Sequence, residues 1–310
     1  MNTSKILKIL VTLLLILLTG IGIANAQIQV VTTIPDLASI AGHVGGEQVE
    51  TFSIAKGYQN AHFVDPKPSY IVNLSRADMF VTIGLDLAIG WAPQLVQSSR
   101  NGKIQRGNPG YVDASEGISL LQVPTTTSRE EGDIHIYGNP HFWLDPIRGK
   151  QIATNIYNKL VEIAPEHQAY FTGNLESFHN RIDQKMKEWL SMMEPYQGTE
   201  IIAYHNEWVY FEERFGLEIV DFLEPKPGIP PSPKQLVNVI NKIKARNIPI
   251  IINSPYYSSK SPEVVARNTG AEVLVLSTMT GGLDPIEDYF DLFDYNIKTL
   301  IGALSKRGNN

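Results

Sequence analysis

Twice along the chain, short β-branched runs alternate with helical segments in the order strand, helix, strand, and this alternation limits the fold more than any other feature. Parallel strands cannot be joined by a two-residue hairpin. They need a crossover of about a dozen residues or more, which is nearly always right-handed. In the first set, residues 28–33 (IQVVTT), 49–54 and 79–83 read as strands. One helix falls over 35–44, with Leu37, Ile40 and Ala41 on one face; another is opened by Asp65-Pro66 and Ser69 and turns Ile71, Leu74 and Ala77 inward. The second set has strands over 200–204, 218–223, 248–253 and 273–276. Its helices run over 208–215, from the capping box Ser232-Pro233-Lys234-Gln235 to about residue 245, and onward from Ser261-Pro262-Glu263. The fold class that follows is α/β: two lobes, each with a mostly parallel sheet flanked by helices.

Between the two sets lie two helical stretches. Asp145-Pro146 is an N-cap followed by a proline at the first helical position, opening a helix to Ile163. Pro165 restarts the pattern, and apolar periodicity continues through Phe171, Phe178, Ile182 and Met186 to about Met193. Some 29 residues at 1.5 Å each make a helix on the order of 43 Å, longer than one small lobe, so it is expected to run along the back of both and join them rigidly. The expected organisation is a signal segment over 1–26, a lobe over 27–164, the linking helix over 165–195 and a second lobe over 196–310. Smaller expectations are an amphipathic helix within 86–105, edge strands over 112–114 and 117–123, a mobile polar loop over 125–133 and a stiff Pro-rich linker over 224–231. A terminal helix is expected to be capped by Asp284-Pro285, with Tyr289, Phe293, Ile297 and Leu300 inward.

The N-terminus reads as a cleavable export signal: Lys5 and Lys8, an apolar core over 9–18, then the small-x-small site Ala24-Asn25-Ala26. That core is shorter than a membrane span, and no cysteine follows it to carry a lipid, so a soluble, unanchored periplasmic protein is expected. The formal charge of −6 becomes −8 without residues 1–26, which removes two lysines and no acids. Such an acidic chain is a poor partner for nucleic acid or anionic lipid. With no cysteine at all there is no disulfide framework and no thiolate, so any metal would have to be held by imidazole and carboxylate.

The histidines carry the functional reading. His62 follows the second strand of the first set, His205 directly ends the first strand of the second set, and His141 lies on the loop feeding the helix capped by Asp145, beside Phe142, Trp143 and Leu144. Ligands of open α/β sheets bind beyond the C-terminal ends of strands, so these three can converge in a cleft between lobes. Three imidazoles suit Zn2+ at about 2.0–2.1 Å with a fourth position for water or carboxylate. Each alone has a blander reading, as a loop histidine bonded to backbone. His167 and His179 read as surface residues of the long helix, as His43 sits on a helix of its own; His135, six residues before His141, could capture metal transiently.

Several stretches together resemble one family. They are His62-Phe63-Val64-Asp65-Pro66-Lys67-Pro68-Ser69, Arg76-Ala77-Asp78, the run from Asn139 to Pro146, Tyr204-His205-Asn206-Glu207-Trp208, Pro231-Ser232-Pro233, and 289–300. The whole mature chain resembles the metal-specific solute-binding proteins of zinc and manganese ABC importers. The resemblance implies two α/β lobes joined by a rigid helix with little closure, one metal ion in the cleft, and His62, His141 and His205 as ligands. It also implies a permease with its ATPase as partner, and a monomer. Two departures follow: His205 stands where manganese-type relatives usually carry Glu, and no acid falls at the family's fourth-ligand place after the last strand. Asp284 is the nearest candidate there, though it is also a good N-cap; water is the preferred fourth ligand, with Glu207 and Glu224 as outside candidates. The family's His-rich loop is missing as well.

The expected function is therefore capture of Zn2+, with Mn2+ or Fe2+ as the alternative cargo, and not catalysis. A secreted zinc hydrolase using Glu207 as base lacks a His-Glu-x-x-His helix, a nucleophile elbow and a phosphate loop. An adhesin whose metal only staples the lobes is a third reading.

Overall fold

The structure, a computed structural model, describes residues 27–124, 135–226 and 228–307. The expected export signal and the polar stretch 125–133 lie outside the described residues. Two four-stranded sheets, parallel throughout, form two lobes. In the first, β1 (Ile28–Thr32), β2 (Val49–Ser53), β3 (Met79–Thr82) and β4 (Tyr111–Asp113) stand in the order β2-β1-β3-β4. In the second, β5 (Glu200–Ala203), β6 (Glu218–Phe222), β7 (Ile250–Asn253) and β8 (Glu272–Val275) stand in the equivalent order β6-β5-β7-β8. The central strands β3 and β7 are buried at every residue, because helices cover both faces of a parallel sheet.

Each lobe's first strand pairs with the next two, so strand order reverses beside β1 and beside β5, and the crevices at these points face the other lobe. Helices α1 (Pro35–Gly45), α2 (Pro68–Arg76) and α3 (Ala92–Ser98) belong to the first lobe, and α4 (Pro146–Ile163) leads out of it. The second lobe carries α6 (Val209–Phe215), α7 (Pro233–Arg246), α8 (Lys260–Thr269) and the terminal α9 (Tyr289–Arg307). Between them runs α5 (Gln168–Met193), 26 residues long, with 3-10 turns at Pro165–His167 and Glu194–Tyr196 on either side. It packs on α1 and α4 at one end and on α6 and α9 at the other, burying Phe171, Phe178, Ile182, Met186, Trp189 and Met193. The long joining helix anticipated from periodicity is thus present.

The lobes are tied at several further points. Asp36, at the start of α1, accepts hydrogen bonds from the backbone and hydroxyl of Thr280 at 3.1 and 3.0 Å. Its full burial pushes the carboxyl up to about 7. Gly57 lies so close to the backbone of residues 280–282 that a Cβ there would stand 2.2 Å from the Thr280 carbonyl. Tyr289, opening α9, donates from its amide to Ser39 Oγ (2.9 Å) and from its hydroxyl to the Trp143 carbonyl (2.6 Å).

Three local expectations are corrected. Residues 117–123 form no strand: Leu121 N–H donates to the Tyr210 hydroxyl of the other lobe (3.0 Å) and its carbonyl accepts from Asn139, so the apolar residues there pack a loop between lobes. The 86–105 region does hold a helix, the short α3 begun by Pro93, followed by a 3-10 turn at Gly102–Ile104. Helix α2 starts at Pro68, two residues after Pro66. The terminal helix starts at Tyr289: Asp288 Oδ1, not Asp284, accepts from the amides of Phe290 and Asp291, while the Asp284–Pro285 bond is cis.

Candidate metal centre

Three imidazoles, those of His62, His135 and His141, bring their donor nitrogens within 4.8 Å of one another, and His205 lies beside this group, outside that distance. His62 sits on the loop after β2; Asn60 Oδ1 accepts its amide (3.0 Å), and Trp91 Nε1 donates to the neighbouring Ala61 carbonyl (2.9 Å), fixing that loop. His141 enters from the turn before α4 and is almost fully buried. Asn139 Oδ1 accepts from both its amide (3.1 Å) and its Nδ1 (2.9 Å). The bulky run after His141 is anchored in turn, Trp143 Nε1 donating to the Thr278 carbonyl at 2.7 Å. His205 ends β5, buried, with Nδ1 bound to Glu224 just beyond β6; the other Glu224 oxygen accepts the Gly228 amide (2.8 Å). His135 has Nδ1 on Asp86 Oδ1 (2.7 Å).

The geometry suits a small divalent cation. Nε2 of His62 and Nε2 of His141 are 3.3 Å apart. Adjacent donors at about 2.0–2.1 Å from a tetrahedral ion are separated by about 3.3–3.4 Å. The ring of His205 lies 5.7 Å from that of His62 and 5.8 Å from that of His141. Nε2 of His205 and of His135 are buried with no hydrogen-bond partner. Buried polar atoms of this kind are rare and call for an explanation, and a bound cation supplies one. In three of the four histidines Nδ1 is taken by a carboxylate or amide oxygen, which fixes the tautomer and turns the Nε2 lone pair to the centre. Beside the cluster a cavity of about 220 Å³ between the lobes, bordered by His62, Phe63, His205 and Tyr257, gives an ion access.

The carboxylates weighed as fourth ligands stand elsewhere. Both oxygens of Glu224 are engaged by His205 and Gly228. Glu207 is buried and accepts from Ser254 Oγ and from the Tyr256 hydroxyl (2.5 Å). Burial raises its carboxyl above the ordinary range despite these donors. Asp284 is exposed and outside the imidazole cluster. Among the remaining histidines, His43 pairs with Asp288 at 3.4 Å and His179 with the Lys150 carbonyl at 3.1 Å, so both are half-buried structural residues, not free surface ones. What sequence reasoning passed over is the pairing of His135 with Asp86, 49 residues away, which no local motif announces.

Burial holds His62 and His141 well below the usual imidazole range, and the neighbouring imidazoles add to this. His205 is different: burial disfavours its charged form, but Glu224 and Glu207 outweigh burial and raise it above 6.5. A metal needs neutral imidazole. As pH falls, His205 therefore takes up a proton first, above 6.5, while His62 and His141 remain neutral until far lower. Loss of affinity on acidification should set in with protonation of His205, rather than with three imidazoles titrating together. Zinc titrations at pH 8 and pH 5 should show weaker binding at the lower pH; affinity that does not fall on acidification would contradict the assignment.

Comparison with known proteins converges on one class. The profile of the family described as zinc-uptake complex component A, periplasmic (ZnuA) matches residues 30–303. The chain is 24% identical over 290 residues to the high-affinity zinc uptake system protein ZnuA of Bacillus subtilis (strain 168), covering 90% of this chain and 88% of that one. It is 22% identical over 292 residues to the manganese ABC transporter substrate-binding lipoprotein PsaA of Streptococcus anginosus, covering 91% of each. A crystal structure of ZnuA matches with a TM-score of 0.76 at 23% identity, over 90% of this chain and 99% of that chain. These are solute-binding proteins, not enzymes, which sets aside the hydrolase. The chain belongs to the zinc-uptake complex component A (ZnuA) family, as a metal-binding substrate-binding protein of an ABC transporter.

Proposed function

We propose that this protein captures Zn2+ outside the cytoplasm through His62, His141 and His205 and delivers it to an ABC permease driven by its ATPase. Relatives of similar closeness are named for zinc and for manganese, so the choice of metal rests on the donor atoms. The observation that carries it is the clustering of the His62, His135 and His141 nitrogens with His205 beside them, the nearby carboxylates of Glu224 and Asp86 being bonded to Nδ1 atoms. Nitrogen donors favour zinc, whereas Mn2+ prefers carboxylate, carbonyl and water oxygen. One ion per chain, bound by a monomer, fits a single cluster in one cleft. Export by residues 1–26 supplies the compartment that such a component works in.

The test is a competition titration of Zn2+, Mn2+ and Fe2+ on the purified chain with its metal stripped. Zinc should bind at least a hundredfold more tightly than manganese; equal or reversed affinities would overturn the choice of zinc. His62→Ala and His205→Ala should each weaken zinc binding strongly, and His179→Ala, on α5 and bonded to a carbonyl, should leave it unchanged. Wild-type affinity in the first two would refute the site.

A further inference from the structure

We propose that His135 is a fourth metal ligand, so that three of the four donors sit on one lobe and only His205 comes from the other. This rests on the zinc-capture reading and specifies its coordination sphere. The donor nitrogens of His62, His135 and His141 all lie within 4.8 Å of one another. The His135 ring is stacked on His62 at 5.1 Å and stands edge-on to His141 at 5.8 Å. Its Nε2 is buried without a hydrogen-bond partner, although its residue lies on a partly exposed segment. A histidine serving only as a structural partner to Asp86 would have that nitrogen in water or bonded to protein.

Asp86 supports the assignment. One of its oxygens accepts Nδ1 of His135 (2.7 Å) and the other the amide of Ile136 (3.2 Å), so the carboxylate holds both the ring and its backbone. Glu224 does the same for His205, binding Nδ1 with one oxygen and the Gly228 amide with the other. A carboxylate behind an imidazole fixes a metal-ligating nitrogen in this way. The two carboxylates serve opposite sides of the cluster, one on each lobe.

Two consequences distinguish this sphere from three histidines and a water. Four imidazoles complete a tetrahedral zinc site with no oxygen donor, which further excludes manganese. The lobes are also unequal: His62, His135 and His141 form a three-nitrogen seat on the first lobe, and parting of the lobes removes only His205. The ion then stays with the first lobe when the cleft opens.

Co2+ is the probe, because its visible absorption reports donor number and type, with zinc affinity measured against a chromophoric chelator. His135→Ala should change the Co2+ spectrum and lower zinc affinity by about a hundredfold or more. Asp86→Asn, which alters the support of Nδ1 and of the Ile136 amide but removes no donor nitrogen, should lower it by about ten- to a hundredfold with a preserved spectrum. His205→Ala should still bind one Co2+ per chain, and the double variant His135→Ala/His205→Ala should not bind at micromolar metal. A thermal melt of each stripped variant separates misfolding from ligand loss, and Asp86→Asn carries the test if His135→Ala is unfolded. Wild-type spectrum and affinity in His135→Ala, with binding lost in His62→Ala, would overturn this inference and leave zinc capture standing. Wild-type binding in the His62, His141 and His205 variants as well would overturn both.

Discussion

His141→Ala is expected to lower zinc affinity by more than about a hundredfold, a loss of about 3 kcal/mol or more. Removing a group that only orients a ligand already costs about ten- to a hundredfold, so removing a donor nitrogen should exceed that range. His141 is also the proposed donor with least freedom to be replaced. It is 2% exposed, its Nδ1 is bound to Asn139, and its Nε2 lies 3.3 Å from that of His62. Asn139 in turn donates to the Asn206 carbonyl (2.9 Å), beside His205, so the imidazole is referenced to both lobes. A water filling the truncated side chain would supply an oxygen in place of nitrogen, and the preference for zinc over manganese should narrow along with the affinity. The measurement is a chelator competition with both metals on wild type and variant; a loss under tenfold would mean that His141 is not a ligand.

Asp145→Ala should cost about 3 kcal/mol of stability, at the lower end of the range for breaking a buried ion pair. Asp145 is fully buried. Its Oδ1 caps α4 through the Ile147 amide (2.9 Å) and accepts from Arg214 Nε (2.7 Å), while Oδ2 accepts from Arg214 Nη2 (2.8 Å) and Arg148 Nη1 (2.6 Å). The truncation therefore removes a helix cap, worth about 1 kcal/mol, and strands a guanidinium paired on two sides. Two features keep the cost from the upper end: Arg148 retains Glu213 at 2.7 Å, and the Arg214 side chain is 29% exposed and can reach water. Because Arg214 lies on α6 and Asp145 on the turn four residues past His141, the variant also loosens the cleft. Urea unfolding of the metal-stripped protein should show a lower midpoint with an unchanged slope; a change below about 1 kcal/mol would show that the pairs contribute little.

Much of this architecture was legible in the residues because parallel sheets leave a strong mark. The runs at Met79–Thr82 and Ile250–Asn253, apolar or β-branched except for Asn253, have no solvent face, and such runs separated by helical segments admit few folds. The long helix was legible for a similar reason: its apolar residues keep one face from Phe171 to Met193. Local chemistry was less reliable. The apolar residues of 117–123 look like a strand because their burial comes from the other lobe, through Tyr210, which no window of sequence contains. Asp284-Pro285 has the composition of a helix start, yet Asp288 is the residue that accepts the first free amides of α9.

The candidate site divides in the same way. His62, His141 and His205 are proposed from their places after strands and before a capped helix, which is information local to each. Sequence position alone makes His135 no more than a transient contact, because its placement depends on Asp86 and the two are brought together only by the fold. Glu224 was weighed as a ligand because acidic residues near histidines invite that reading; its oxygens instead hold His205 and the Gly228 amide. Residues such as Asp86 and Glu224, which hold the Nδ1 of an imidazole, are brought there by distance in three dimensions, and sequence spacing carries almost none of that information.

The most direct test of the central claim is diffraction from zinc-loaded crystals at energies above and below the zinc absorption edge. One anomalous peak per chain is expected between the lobes, about 2.0–2.1 Å from Nε2 of His62, His141 and His205. A peak bound by one lobe alone without His205, or one lying away from these three nitrogens, would contradict the account.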